Sequence, residues 1–330
     1  MGLKRELLKL FGGGKSNKGA HGKGAFSAEI DAVSAGKRAY KTHLNAGLSH
    51  SPLLRRNIHR LEKGLCFPDG KKAFAAKYIM ETVEAFRSAK NNPRHDSSEL
   101  LWAGDVLNRY FSYVDRQAEA IAAAYEKFIE CSSETTGTNT PFPFKDLPVI
   151  EGISGANFLA LCESRVSCRW FQNKKLTSEQ IELAVKSASQ APSACNRQPF
   201  SFLLIEDPAL KEQVVNLPFA TEGFGNALPH LILVLGDLSS FAFERDRHLI
   251  YIDAALATAQ LMLSFTAQGL ASVPINWPDV EENHKAARQL LGLAPYHVPI
   301  MLVGFGVPNP DAMIPFSQKK PPQSLLKVYE

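Results

Sequence analysis

Arginine and hydroxyl side chains alternate at Arg165, Ser167 and Arg169. Downstream, Pro192-Ser193-Ala194-Cys195-Asn196-Arg197-Gln198-Pro199 makes a proline-bounded polar turn ahead of an apolar run at 200–205. Cations and hydroxyl donors suit an anion such as phosphate, because charge-assisted hydrogen bonds are shorter and stronger than neutral ones. Asn196, Gln198 and Asn276 could serve the polar edge of a flat heteroaromatic ring, with Pro274, Ile275 and Trp277 as apolar walls. Surface ion pairing is the competing reading of Arg165 and Arg169, and it suffices for either residue taken singly.

Other chemistries find less support. Cys195 has no His or Asp near it in sequence and reads as a turn residue. Ser193 lies in no GxSxG elbow, and HExxH is absent. GFGVPN at 304–309 resembles the start of a dinucleotide loop, but prolines follow where a helix should begin. FGGGK near the N-terminus lacks the strand, the spacing and the Ser/Thr of a phosphate loop.

The elements that must position these residues fall in two groups. From 51 to 131 the pattern is helical. Ser51 caps and Pro52 opens a helix over 51–64, with Leu54, Ile58, Leu61 and Leu65 on one stripe and Gly64 at its end. Its other side, Arg55, Arg56, His59, Arg60, Glu62 and Lys63, reads as a solvated face, with a ligand or interface role as the alternative. Helices over 73–90 and 96–130 follow, the second with room for one break. Residues 132–150 are Ser/Thr/Pro-rich and mark a linker. Beyond it, helices and strands interleave. Thr177 and Gln180 form a capping box for a helix over 178–190, and Asp279 with Glu282 forms another for a helix reaching 291. Strands are expected at 200–205, 231–236, 271–275 and 299–305. Between them, an Ala/Leu-rich helix over 253–268 is apolar nearly all round and is expected to be buried. The result is an α+β domain over 151–330 with one central sheet, preceded by an all-α region over 31–131.

The 330 residues suffice for about two domains. No run of about 20 apolar residues or secretory leader stands out. The five cysteines are odd in number, widely spaced and free of CxxC pairs, which argues against zinc and a disulfide framework and fits a cytoplasmic protein. The net charge is +4, yet residues 1–24 carry six cations and one anion, leaving the remainder slightly acidic. A basic tail without a basic folded face speaks against nucleic acid. Within the flexible stretch 1–30, Leu3, Leu7, Leu8 and Phe11 could support a weak contact with a membrane surface or a partner; a solvated tail is the plainer reading.

Read together, the segments resemble the FMN-dependent nitroreductase family. RVSCRWF at 165–171 is similar to its R-x-S-x-[RK]-x-F opening, and APSACNRQPFSFLLI at 191–205 to its A-P-S-x-x-N-x-Q-P-[WF]-x-F turn and strand. Asp253 with Ala254, Ala255 and Gln260, then GLASVPINW and PIMLVGFGVP, follow in family order. The resemblance implies a nitroreductase-like mixed sheet flanked by helices and a homodimer with FMN at each of two subunit interfaces. Arg165, Val166, Ser167 and Arg169 would come from one subunit, and Pro192, Ser193, Ala194, Asn196 and Gln198 from the other. Val273, Pro274, Ile275 and Asn276 would pass beside the ring. Lys319 or Lys320 stands where the family places a second phosphate cation, although two prolines follow here. The implied activity is hydride transfer from NADPH or NADH to FMN, then reduction of a nitroaromatic, quinone or related conjugated small molecule. A dedicated biosynthetic redox step, which the RLEKGL-type stretch would link to surface polysaccharide, and a non-catalytic flavin-binding interaction protein remain alternatives.

Overall fold

The computed structural model describes residues 27–43, 49–67, 70, 72–131, 135–148, 150–219 and 221–329. The basic tail and its proposed surface contact lie outside the described residues, except for 27–30 at the end of the 1–30 stretch.

The chain runs α1 (Ser27–His43), α2 (Pro52–Leu65), α3 (Ile79–Lys90), α4 (Ser97–Tyr113), α5 (Glu119–Glu130), α6 (Gly155–Ser164), α7 (Ser178–Ser189), β1 (Phe200–Ile205), α8 (Pro208–Val215), β2 (His230–Asp237), α9 (Leu249–Ala267), β3 (Ala271–Asn276), α10 (Glu281–Leu291) and β4 (His297–Gly306). A single turn of helix, α11 (Pro322–Leu325), follows in the C-terminal segment. The strands form one sheet in the order β1-β2-β4-β3, with every neighbouring pair antiparallel. The parallel element is an isolated bridge between Ser167 and Ser272.

Side chains alternate across a strand, so each strand feeds two cores. Ile232 and Val234 of β2 face Ala184, Ala188, Leu261 and Phe265 of α7 and α9. Leu231, Leu233 and Leu235 face the opposite layer, where α8 and α10 supply Val214, Val215 and Ala287. A separate core joins α2 to α5 around Leu54, Ile58, Phe86, Leu107, Tyr110 and Phe128. The first helix takes no part in it. Ala32 and Val33 of α1 pack instead on Leu238, Phe241 and Ile250 beside the sheet.

Capping explains several boundaries. Ser51 Oγ accepts from the Leu54 N–H at 3.2 Å. The Thr177–Gln180 box closes in both directions, at 3.3 and 3.1 Å. The second expected box is not formed: α10 starts after Val280 without a side-chain cap, and Asp279 turns to His284 at 3.2 Å. Gly64 lies inside α2 and does not end it, and a Cβ there would sit 2.1 Å from the Phe74 ring. The helix expected from 73 begins at Ile79 because Ala75 has φ 66°. The 96–130 stretch breaks once, between Tyr113 and Glu119.

The central helix corrects two expectations. In the single chain α9 is only half buried. Ala254, Ala257, Leu261 and Phe265 face the sheet, while Tyr251, Ile252 and Leu256 are exposed. With its leading turn, Glu244–Ala267 is also long and apolar enough to cross a membrane by length and composition. The sheet-packed face accounts for much of that apolarity.

Candidate functional site

Two donor-rich segments lie at opposite corners of the sheet. The first runs along the free edge of β3. Arg165 is the C-cap of α6, where its N–H donates to Leu161 O. The chain then turns alongside β3, with Ser167 bridged to Ser272 and the Cys168 N–H donating to Ser272 O at 3.2 Å. Gln172 ties the segment's end to β4 through Val307 O and Pro308 O. This anchorage sets Arg165, Val166, Ser167 and Arg169 beside β3. The Arg169 guanidinium lies over the Phe224 ring at 5.4 Å. Arg165 Nη1 and Ser272 Oγ are buried and have no hydrogen-bond partner among the described residues. On β3, Pro274 and Asn276 are exposed, whereas Ile275 and, just past the strand, Trp277 are buried in the core shared with α8 and α10. The latter two therefore offer backbone, and not side-chain walls, at this edge.

The second segment is the turn entering β1. A 3-10 turn over Ala194–Asn196 follows Ser193, and three residues that are not glycine adopt left-handed backbone: Cys195 (φ 54°), Asn196 (φ 51°) and Gln198 (φ 49°). Such residues each cost about 1–2 kcal/mol, so surrounding bonds must hold them. The Ala194 N–H donates to Asp253 Oδ2 at 3.0 Å, and the Gln198 N–H donates to Ser193 Oγ at 3.1 Å. Burial pushes the Asp253 carboxyl up, and the bond from Ala194 and the Arg197 charge oppose it. Gln198 Nε2 donates to Ser189 O at 2.8 Å, so this side chain braces the turn.

The helical region adds a third support. Arg55 of α2 donates from Nε to Asn196 O at 2.9 Å, from Nη2 to Gln198 Oε1 at 3.4 Å and from Nη1 to Glu99 Oε2 at 3.0 Å. Glu99 is buried and also takes bonds from the Ser51 N–H, His50 and His95. Burial alone would raise its carboxyl. These bonds and the Arg55 charge outweigh it and hold the group well below the usual carboxylate range. Sequence reasoning missed Glu99, and for the face that carries Arg55 it took solvation as the plainer reading, with a ligand or interface role as the alternative. Helical periodicity placed Arg55 on the outer face of α2, and nothing local names what covers that face. Within the RLEKGL stretch, Leu61 is in the core, Glu62 accepts from Trp102 Nε1 at 2.9 Å, and Gly64 admits Phe74.

The strand register separates the two segments. Phe200, directly after the turn, pairs with Gly236, which pairs with Val298. Ser167 lies beside Ser272, which pairs with Phe305. Phe200 and Ser167 therefore differ by four strand spacings, about 19 Å, and by seven residues along β4, about 23 Å. Within one chain the structure gathers 165–169 with β3, and 192–198 with Asp253 and Arg55, but it does not bring the two groups together. Lys319 and Lys320 lie exposed in the C-terminal segment. Among the described residues, no group of three or more His, Cys, Asp or Glu could hold a metal ion.

The nitroreductase family model matches residues 162–222 and 216–307, which contain both segments. An Archaeoglobus fulgidus protein provisionally named NADH dehydrogenase/NAD(P)H nitroreductase is 30% identical over 158 residues, 46% of this chain and 86% of that protein. Human iodotyrosine deiodinase 1 is 23% identical over 264 residues, 70% of this chain and 87% of that protein. An FMN-dependent nitroreductase structure from Clostridium difficile, 18% identical, aligns with 52% of this chain and 98% of its own at a TM-score of 0.42. The chain belongs to the nitroreductase family, and its class is that of an oxidoreductase.

Proposed function

We propose that this protein is an FMN-dependent, NADH- or NADPH-driven reductase of a nitroaromatic, quinone or related conjugated acceptor, working as a homodimer in the cytoplasm. The observation that carries the reading is the diagonal placement of two incomplete donor sets. Each half has groups suited to one ligand, and a two-fold pair of chains can set the β3 edge of one beside the turn of the other. Exposed apolar side chains on α6 and α9, including Phe158, Leu159, Ile252 and Leu256, supply a surface that such pairing would cover.

The residues present fit FMN. Arg165 Nη1 and Ser272 Oγ are buried polar atoms without partners among the described residues, and buried polar groups are ordinarily satisfied. A phosphate or a pyrimidine edge would satisfy them. Arg165, Ser167 and Arg169 would hold that anionic or polar end, with Lys319 or Lys320 as a further cation. Ser193 and Asn196 would bind from the second chain, and the exposed edge at Pro274 and Asn276 would border the ring. When bound, FMN supplies acceptance of hydride from a nicotinamide and its delivery to an acceptor. The protein's arginines stabilise negative charge that develops at the polar edge, and as fixed charges they need little reorganisation.

Purified protein is expected to be yellow, to bleach anaerobically with NADPH or NADH, and to regain colour with menadione or nitrofurazone. A colourless protein that takes up no added FMN rejects the reading. The 264-residue match to human iodotyrosine deiodinase 1 extends outside residues 162–307 and favours a second acceptor class, a halogenated phenol. Iodide release from 3-iodotyrosine by the reduced protein, with no recovery of colour on quinone or nitroaromatic, would select it.

A further inference from the structure

We propose that Arg55 is a positioning residue for the flavin: from outside the family core it clamps the left-handed turn 194–198 and so sets the geometry of half the binding site. The inference rests on the flavin reading above, and it assigns a task to the helical region. A guanidinium is planar and presents donors in a fixed fork. Here the fork is used in three directions. Nε takes Asn196 O, Nη2 takes the Gln198 side-chain oxygen, and Nη1 takes Glu99. Both contacted turn residues have positive φ without being glycine.

The clamp is itself held. Glu99 lies at the start of α4 and receives the Ser51 N–H at 2.9 Å and His95 at 3.0 Å. Trp102 lies beside the guanidinium, 5.3 Å from ring centroid to Cζ. Arg55 is thus fixed by α2 and α4 before it meets the turn. Asp253 holds Ala194 from the other side. Between them the turn is gripped by a helix of the sheet domain and a helix of the N-terminal region. Surface docking would need only charge or apolar contact. Bonds directed at the main-chain oxygen of Asn196 and at the Gln198 side chain constrain the residues whose amide and hydroxyl neighbours face the ligand.

The test uses full-length protein, stripped of flavin and titrated with FMN by fluorescence quenching, with visible circular dichroism of the bound flavin and thermal unfolding recorded alongside. Arg55→Met keeps the stem and removes the fork. Arg55→Lys keeps the charge but cannot reach three acceptors at once. Loss of charged hydrogen bonds to the turn is expected to raise the FMN Kd about tenfold or more in Arg55→Met, with a smaller rise in Arg55→Lys. The flavin dichroism is expected to change in both. Wild-type affinity and dichroism in folded Arg55→Met would overturn the proposal, even if its thermal midpoint fell, since that is the signature of a purely structural contact. If Arg55→Met does not fold, Arg55→Lys decides by the same two readouts. A wild-type chain that takes up no FMN overturns the flavin reading and this inference with it, whereas uptake by the wild type with unaltered variants overturns the clamp only.

Discussion

Glu99 concentrates the electrostatics of the helical region on one carboxylate. Its folded pKa is depressed, so its contribution to stability is fully present above the unfolded carboxylate value of about 4.3 and is lost as pH falls toward the folded value. His50 has the opposite sign. Its pKa is raised, chiefly by the hydrogen bond with Glu99, so its contribution is full below about 6.5 and is lost as pH rises through the raised value. Both are present together between about pH 4.5 and 6.5. Thermal midpoints measured from pH 3 to 9 should rise into that window from the acid side, and Glu99→Gln should weaken the rise. Glu99→Ala goes further. It leaves Arg55 and the buried His95 facing a vacated site, and urea unfolding should register a loss of about 3–5 kcal/mol.

The informative element is α9. Its inner face carries Phe265, which stacks on Phe305 of β4 with centroids 4.5 Å apart, both fully buried. Phe265→Ala should cost about 3–5 kcal/mol in chemical denaturation, the range for removing a buried aromatic ring. The close approach of α9 to β2 imposes a second limit. A Cβ on Gly236 would sit 2.8 Å from Ile250 Cβ, so Gly236→Ala should cost about 1–3 kcal/mol by overpacking. The N-terminal end of α9 carries Asp253, which binds the turn, so the same helix links core packing to the site.

For the whole molecule the decisive quantity is mass in solution. The proposed flavin site needs two copies, and the exposed apolar residues of α6 and α9 offer a surface for their pairing. Sedimentation should give twice the chain mass. The double variant Phe158→Asp with Leu256→Glu places two charges where apolar side chains would be desolvated, and it should sediment as one chain and lose flavin. A monomeric wild type that binds FMN with full affinity would contradict the two-chain site.

Much of the molecule was legible from local chemistry. The Thr177–Gln180 box, the Ser51–Pro52 start and the short continuous apolar runs of the strands announce themselves, because caps and apolar runs are set by near neighbours in the chain. The donor types at 165–169 and 192–198 were visible for the same reason. The second capping box at Asp279 was not realised, since His284 competed for the same carboxylate. Apolar composition could not tell which face of α9 meets the sheet. The grip of Arg55 on Asn196 spans 141 positions and that of Asp253 on Ala194 spans 59. No periodicity reaches that far. Residue types and order therefore determined the sheet domain and the chemistry it could hold. Only the tertiary structure decided that the two donor sets lie at opposite corners, and that a helix outside the family core holds one of them in place, because register and docking are set by contacts between segments distant in sequence.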